Sequence, residues 1–224
     1  MLLVLLSRGG SIEPAYQISK LCKTFTKGRF VVVVPRHAKS AATLIAICAD
    51  EIHIGPLGQL GPIDPQLGGL PALGVSQALK RIASVSEEFP KSADMFARYL
   101  QRALTVEQIG YCDRIAESAI QYAERLLLTK PHLQKRAPMI ARELVHEYKD
   151  HGFAIDVAEA KTHLGTEWIR SDTKELQAAE EVYKLFDQLN WLWLLDVAQS
   201  KRLLVLGGLA LPSGMMIMKN RRDS

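Results

Sequence analysis

Cysteine is scarce in this chain and scattered. Cys22, Cys48 and Cys112 show no C-x-x-C spacing and no matching set of nearby histidines. That pattern argues against a disulfide framework and a structural zinc site, and it fits a reducing cytoplasm. An excess of one charge is also missing. The 28 basic and 24 acidic residues are mixed along 224 positions to a net charge of +4, and the one basic run is the terminal KNRRDS at 219–224. That is too little to indicate a nucleic-acid partner. Long uninterrupted apolar runs are lacking too. MLLVLLSRGG places five apolar residues between the first methionine and Ser7, with no basic leading region and no cleavage-like segment, so it reads as a buried strand and not a signal peptide. LLVLGGLALPSGMMIM, 203–218, is broken by glycines and a proline and falls short of a membrane span. Internal repeats and low-complexity linkers are absent as well.

What is present is the composition of a folded, soluble α/β chain, 48% hydrophobic and 23% charged. The length suits one domain over 1–224, with a sheet-forming, motif-bearing part over 1–71 and a mainly helical part over 72–224. Short apolar runs at 2–6, 30–34 and 51–54 read as strands. A helix over 14–27, with Ile18, Leu21, Cys22 and Phe25 as its apolar stripe, and a small-residue helix over 41–49 stand between them. Strands alternating with helices predict a parallel sheet with right-handed crossovers. Farther on, helices are expected over 75–85, 93–104, 106–128, 138–148, 157–164 and 173–190, with short strands at 152–155, 168–169 and 203–206. The longest helix carries Ile109, Ile115, Ala119, Tyr122, Ala123, Leu126 and Leu127 along one side.

Ser40 stands where an apolar strand has ended in Pro-Arg-His-Ala-Lys and the small-residue helix begins. Free N–H groups and the helix dipole at such a terminus stabilise negative charge, as a serine attacking a carbonyl requires. The commonplace alternative is a helix cap. Gly9-Gly10, directly after the first strand, lets the backbone take positive φ and approach a ligand, and loops at the carboxyl ends of neighbouring parallel strands share one crevice. Gly10 and Ser40 are therefore expected to converge.

Three stretches, LLVLLSRGGSIEPAYQISKLCK, VVVVPRHAKSAATLIAICADEIHIGP and LGPIDPQ, together resemble the serine dehydrogenase proteinase family, relatives of signal peptide peptidase A and of the Clp proteolytic subunit. A weaker echo lies in HGFAIDVAEAKTHLG, 151–165. The resemblance implies the Clp/crotonase fold, an α/β architecture of ββα crossover units that assembles into homo-oligomers, and a serine peptidase acting on peptide or protein substrates. Ser40 matches the nucleophile in its K-S-A setting, the Ala41 N–H one oxyanion donor, and Gly10 the glycine supplying the other. Ala42 stands where relatives commonly carry glycine. No metal or cofactor is implied.

The base is the open position. Clp-type relatives place a histidine after the strand that follows the nucleophile helix, where this chain reads GPIDPQ, and Asp64 is a poor direct substitute. Relatives of signal peptide peptidase A use a lysine some forty to fifty residues after the serine, a window that holds Lys80 and Lys91. Lys91, just before an expected helix with Ser92 as cap, is preferred as catalytic base. His151 ranks behind lysine and ahead of His132, His146 and His163, which are expected to be exposed. Lys39 should point away from Ser40, and His37 could line a pocket or face solvent. Asp50 and Glu51, at a helix-to-strand junction, suit a structural role. The loop GPLGQLGPIDP could border a groove that accepts a peptide strand. Two other functions fit less of the pattern: a peptide-binding scaffold without a base, and acyl-thioester chemistry of the crotonase branch. NWLWLL, 190–195, is a candidate subunit contact.

Overall fold

The computed structural model describes the backbone of residues 1–67 and 70–200 and the side chains of 1–66 and 71–189. The strand expected at 203–206, the apolar stretch 203–218, the basic tail and the side chains of 190–195 lie outside the described residues.

Four parallel strands form the main sheet in the order β1-β2-β4-β8: β1 (Leu2–Val4), β2 (Val31–Val34), β4 (Glu51–Ile54) and β8 (Ile169–Arg170). A second parallel layer pairs β3 (His37–Ala38) with β5 (Gln59–Leu60), and isolated bridges extend it from Ser7 to Ala38 and from Leu60 to Ile155. Ser7 follows β1, β3 follows β2 and β5 follows β4, so the chain repeatedly leaves the main sheet, enters the second layer, and returns through a helix. That repetition is the ββα pattern of the Clp/crotonase fold. A short hairpin, β6 (Gln66–Leu67) with β7 (Leu70–Pro71), leads into the helical part.

The central strands are buried on both faces, which is why they read as continuous apolar runs. Val32 and Val34 face the main core, whereas Val31 and Val33 pack with Leu176 and Ala179 of α8 (Lys174–Ser200). β1 is different. Among the described residues it has one neighbour, β2, and leaves Leu2 50% and Val4 41% exposed. The expected buried strand is thus an edge strand, with only its Leu3 and Leu5 side against the core.

Helix α2 (Ala41–Cys48) is buried along its whole length, as an all-apolar helix must be. α1 (Ile12–Phe25) packs against it through small residues, Ala15 and Ser19. The stripe Ile18, Leu21 and Phe25, expected to be buried, faces outward instead. Close approach to α2 needs small side chains, so Ala15 and Ser19 take the inner face.

The helical part comprises α3 (Ala72–Glu88), a 3₁₀ turn (Pro90–Ser92), α4 (Ala93–Ala103), α5 (Val106–Leu127), α6 (Ala137–His146) and α7 (Val157–Leu164). α5 opens with a capping box between Thr105 and Gln108 and packs along α2, α3 and α6. Its buried side is Cys112, Ala116, Ala119, Ile120, Ala123, Leu126 and Leu127. Residues 152–155, expected as a strand, form a turn ending in the Ile155 bridge. No helix among the described residues is long and apolar enough to cross a membrane.

Asp50 and Glu51 anchor the far end of the sheet. Asp50 pairs with Lys23 and Lys130 and accepts the Phe30 N–H, while Lys130 donates to the Cys48 carbonyl at 2.6 Å. Glu51 pairs with Arg29, Arg170 and His53. Both carboxylates are structural.

Candidate active site

Ser40 sits between β3 and α2 with φ 53° and ψ −121°, left-handed backbone that a side chain rarely adopts. Such a conformation costs on the order of 1–3 kcal/mol and persists only where neighbours enforce it. Two neighbours do so. Gly9, at φ 112°, comes so close that a Cβ there would lie 2.7 Å from Ser40 Cβ and 2.9 Å from the Lys39 carbonyl. Thr43, fully buried, has its hydroxyl 2.7 Å from the Ala38 carbonyl and 2.8 Å from that of Gly61, and it accepts the Gly61 N–H. The first turn of α2 is thereby tied to the end of β3 and to the loop after β5.

The Ser40 hydroxyl makes no cap hydrogen bond, although the residue occupies the cap position. It is not spent on the helix. Among the described residues, the N–H groups of Ala41 and Gly10 also donate to no protein acceptor, whereas the Ala42 N–H bonds the Lys39 carbonyl. Ser40 and Gly10 both line a cavity of about 530 Å³. Its other walls come from Ile12 and Glu13 of α1, Pro65 and Gln66, and Tyr111, Ile115, Ser118 and Tyr122 along one face of α5. Ile115 and Tyr122, expected on the buried stripe of that helix, front this cavity.

His151 lines the same cavity. Its Nδ1 lies 2.5 Å from Asp64 Oδ1, with the histidine side chain 32% exposed and the aspartate 6%. The second Asp64 oxygen accepts from Gln66 at 2.8 Å. Burial raises the Asp64 carboxyl above its ordinary range, against the opposing pull of His151 and Gln66. A serine on a strained turn, a histidine facing the same cavity and a buried carboxylate behind that histidine make up the components of acyl-transfer catalysis.

The lysines lie elsewhere. Lys91 is exposed in the 3₁₀ turn and Lys80 is exposed on α3, and neither borders the cavity. A lysine base needs burial to shed its proton near neutrality, and the structure does not bring Lys91 to Ser40. Lys39 points away from Ser40 toward β5 and the loop after His151. His37 is half-buried in β3 and outside the cavity wall. Burial, Arg8 and Lys39 hold its imidazole below the usual range. His132 is exposed with its ring edge-on to Trp168, and His146 is half-buried. His163, expected at the surface, lies between Glu143 and Tyr148, because α6 and α7 close over it. Among the described residues, no group of three or more His, Cys, Asp and Glu could hold a metal ion.

Asp64 stands in GPIDPQ, where a histidine is expected from Clp-type relatives, and no local motif marks it as a partner of His151. The signal in the sequence is the pairing of GPIDPQ with the family echo that begins at His151.

A model of the ClpP-like SDH-type serine proteinase family matches residues 1–191. Two uncharacterized proteins of Methanocaldococcus jannaschii are similar. One is 30% identical over 185 residues, 81% of this chain and 58% of its own length. The other is 27% identical over 185 residues, 81% of this chain and 56% of its length. The chain therefore spans less than three-fifths of either relative. No solved structure matches.

Proposed function

Since the chain belongs to the ClpP-like SDH-type serine proteinase family, we propose that it is a serine endopeptidase with Ser40 as nucleophile, His151 as base and Asp64 as orienting acid. The observation that carries this reading is that Ser40 and the Asp64-bound His151 border one cavity. With Nδ1 donating to Asp64, the imidazole keeps Nε2 for the Ser40 proton. Ser40 Oγ attacks the peptide carbonyl as His151 takes its proton. The tetrahedral oxyanion accepts from the N–H groups of Gly10 and Ala41. The C–N bond breaks as the imidazolium returns the proton to the leaving amine, and water, deprotonated by the same histidine, releases the acyl group.

A scaffold reading requires a crevice without a base, and the Asp64–His151 pair bordering the Ser40 cavity favours the peptidase reading over it. Thioester chemistry would use the N–H groups and leave the strained serine without a task. Lys91 plays no part in this mechanism. Turnover of an unstructured protein such as casein tests the reading: Ser40→Ala and His151→Ala are expected to abolish it, and Lys91→Ala and Lys80→Ala to preserve it. Loss in Lys91→Ala with retention in His151→Ala would restore the lysine mechanism.

Assembly into a homo-oligomer belongs to the same proposal. The outward apolar residues of β1 and α1 support it, and sedimentation of the full chain as a monomer would refute it.

A further inference from the structure

Lys39 precedes the nucleophile, and its three ammonium protons all have acceptors. Nζ donates to Gln59 Oε1 at 2.8 Å, to the Gly152 carbonyl at 2.9 Å and to the Phe153 carbonyl at 2.7 Å. Gly152 and Phe153 are the two residues directly after His151. We propose that Lys39 is a positioning residue that holds the loop carrying His151 in register with the nucleophile turn. Its catalytic consequence rests on the reading of His151 as base.

An ammonium with three acceptors has no lone pair to offer, so Lys39 is not itself the base. It acts through the backbone. Within the loop, the Gly152 N–H bonds Asp150 Oδ1 and the Phe153 N–H bonds the Asp150 carbonyl, so this turn closes largely on itself. Among the described residues, its ties to the second sheet layer and the loop after it are the exchange between Ile155 and Leu60, the Asp64–His151 bond, and Lys39. Of these, Lys39 alone joins the loop to the residue next to Ser40. Charge-assisted bonds to carbonyls are shorter and about twice as strong as neutral ones, which suits a short loop that must hold an imidazole steady.

The path of the side chain is built in. A Cβ on Gly61 would lie 2.4 Å from Lys39 Cδ and 3.2 Å from Lys39 Cα. Glycine at 61 therefore leaves the room through which the aliphatic stem passes. The same residue meets the Thr43 hydroxyl through its own N–H and carbonyl, so the nucleophile turn and the Lys39 stem meet at Gly61. Burial lowers the Lys39 ammonium below the ordinary lysine range, with Asp150 pulling it back.

Lys39→Met keeps the stem and removes the donors. Gly61→Ala keeps Lys39 and blocks its path. Lys39→Arg restores charged donors. Amide hydrogen exchange at Gly152, Phe153 and Ile155 reads the tether directly, and peptide turnover reads its consequence. In both Lys39→Met and Gly61→Ala, exchange at these amides is expected to rise about tenfold. A misplaced group costs up to about 10²-fold, so kcat should fall by about that factor with KM little changed and with partial recovery in Lys39→Arg. Unchanged exchange in Lys39→Met overturns the inference, as does faster exchange with an undiminished kcat. Faster exchange in a chain whose parent turns over no peptide supports the tether and contradicts the peptidase reading, so the two failures are distinguishable.

Discussion

The carboxylate of Asp64 lies 2.5 Å from Nδ1 of His151, a residue 87 positions along the chain. It reaches the histidine from the loop that follows the second sheet layer, while the histidine arrives from the turn after α6. With Nδ1 engaged by that carboxylate, the proposed mechanism leaves Nε2 for Ser40.

Asp64→Asn is expected to separate stability from activity. In the comparable arrangement of other serine hydrolases, loss of this carboxylate lowers kcat by about 10⁴-fold because the histidine takes the wrong tautomer. The stability effect has the opposite sign. The folded-state pKa of Asp64 is raised above its unfolded value of 3.8, so the ionised carboxylate costs folding free energy above that pKa. At neutral pH the variant should keep or raise the parent's melting temperature while losing turnover, as read by calorimetry and peptide hydrolysis on one preparation.

The acid limb of activity carries the same signature. Protonation removes the negative charge that would stabilise the His151 imidazolium in the proposed mechanism, and an Asp64 carboxyl raised by burial protonates at higher pH than an exposed aspartate would. Activity in the parent should therefore fall on acidification before the fold is lost, with far-ultraviolet circular dichroism unchanged over the pH range where the rate declines.

Asp50 works the other way. Burial pushes its carboxyl up, but Lys23, the Phe30 N–H and Lys130 outweigh burial and hold it below 3.8. Its contribution to stability is present above that unfolded value and is lost as pH falls through the folded pKa. Asp50→Ala leaves Lys130, 5% exposed, without its charged partner, at a cost of about 1–3 kcal/mol at pH 7. The gap between parent and variant should close in strongly acid solution, as measured by urea titration at each pH.

The two glycines after β1 should respond unequally. Gly9→Ala places a methyl group 2.7 Å from Ser40 Cβ at a positive φ, so both the turn and turnover should suffer, with a destabilisation of about 1–3 kcal/mol. Nothing lies within 4 Å of a Cβ on Gly10. Gly10→Ala should melt within about half a kcal/mol of the parent and still take up a serine-directed phosphonate.

Much of this architecture is legible in the sequence, and the parts that are not share a physical cause. Val31 to Val34 announce a buried parallel strand because both faces are covered, and Glu51–Ile54 emerges at its expected bounds. The two-residue strands β3 and β5 are too short for any periodicity to show. The outward turn of Ile18, Leu21 and Phe25 is hidden because an apolar stripe looks the same whether it meets its own core or a partner. At the site, Ser40 and Gly10 follow from local grammar: strand, turn, helix. The Asp64–His151 bond does not, since it depends on how α6 brings its carboxyl end back to the second layer. Lys91 fits a spacing along the chain, and spacing says nothing of the side on which an exposed turn lies.

The most direct test is labelling of the parent and its variants with a fluorophosphonate, read by intact-protein mass and peptide mapping. One adduct per chain is expected on Ser40, none in Ser40→Ala, a rate reduced by several orders of magnitude in His151→Ala, and an unchanged rate in Lys91→Ala. Labelling that persists in Ser40→Ala, or that requires Lys91 and not His151, would contradict it.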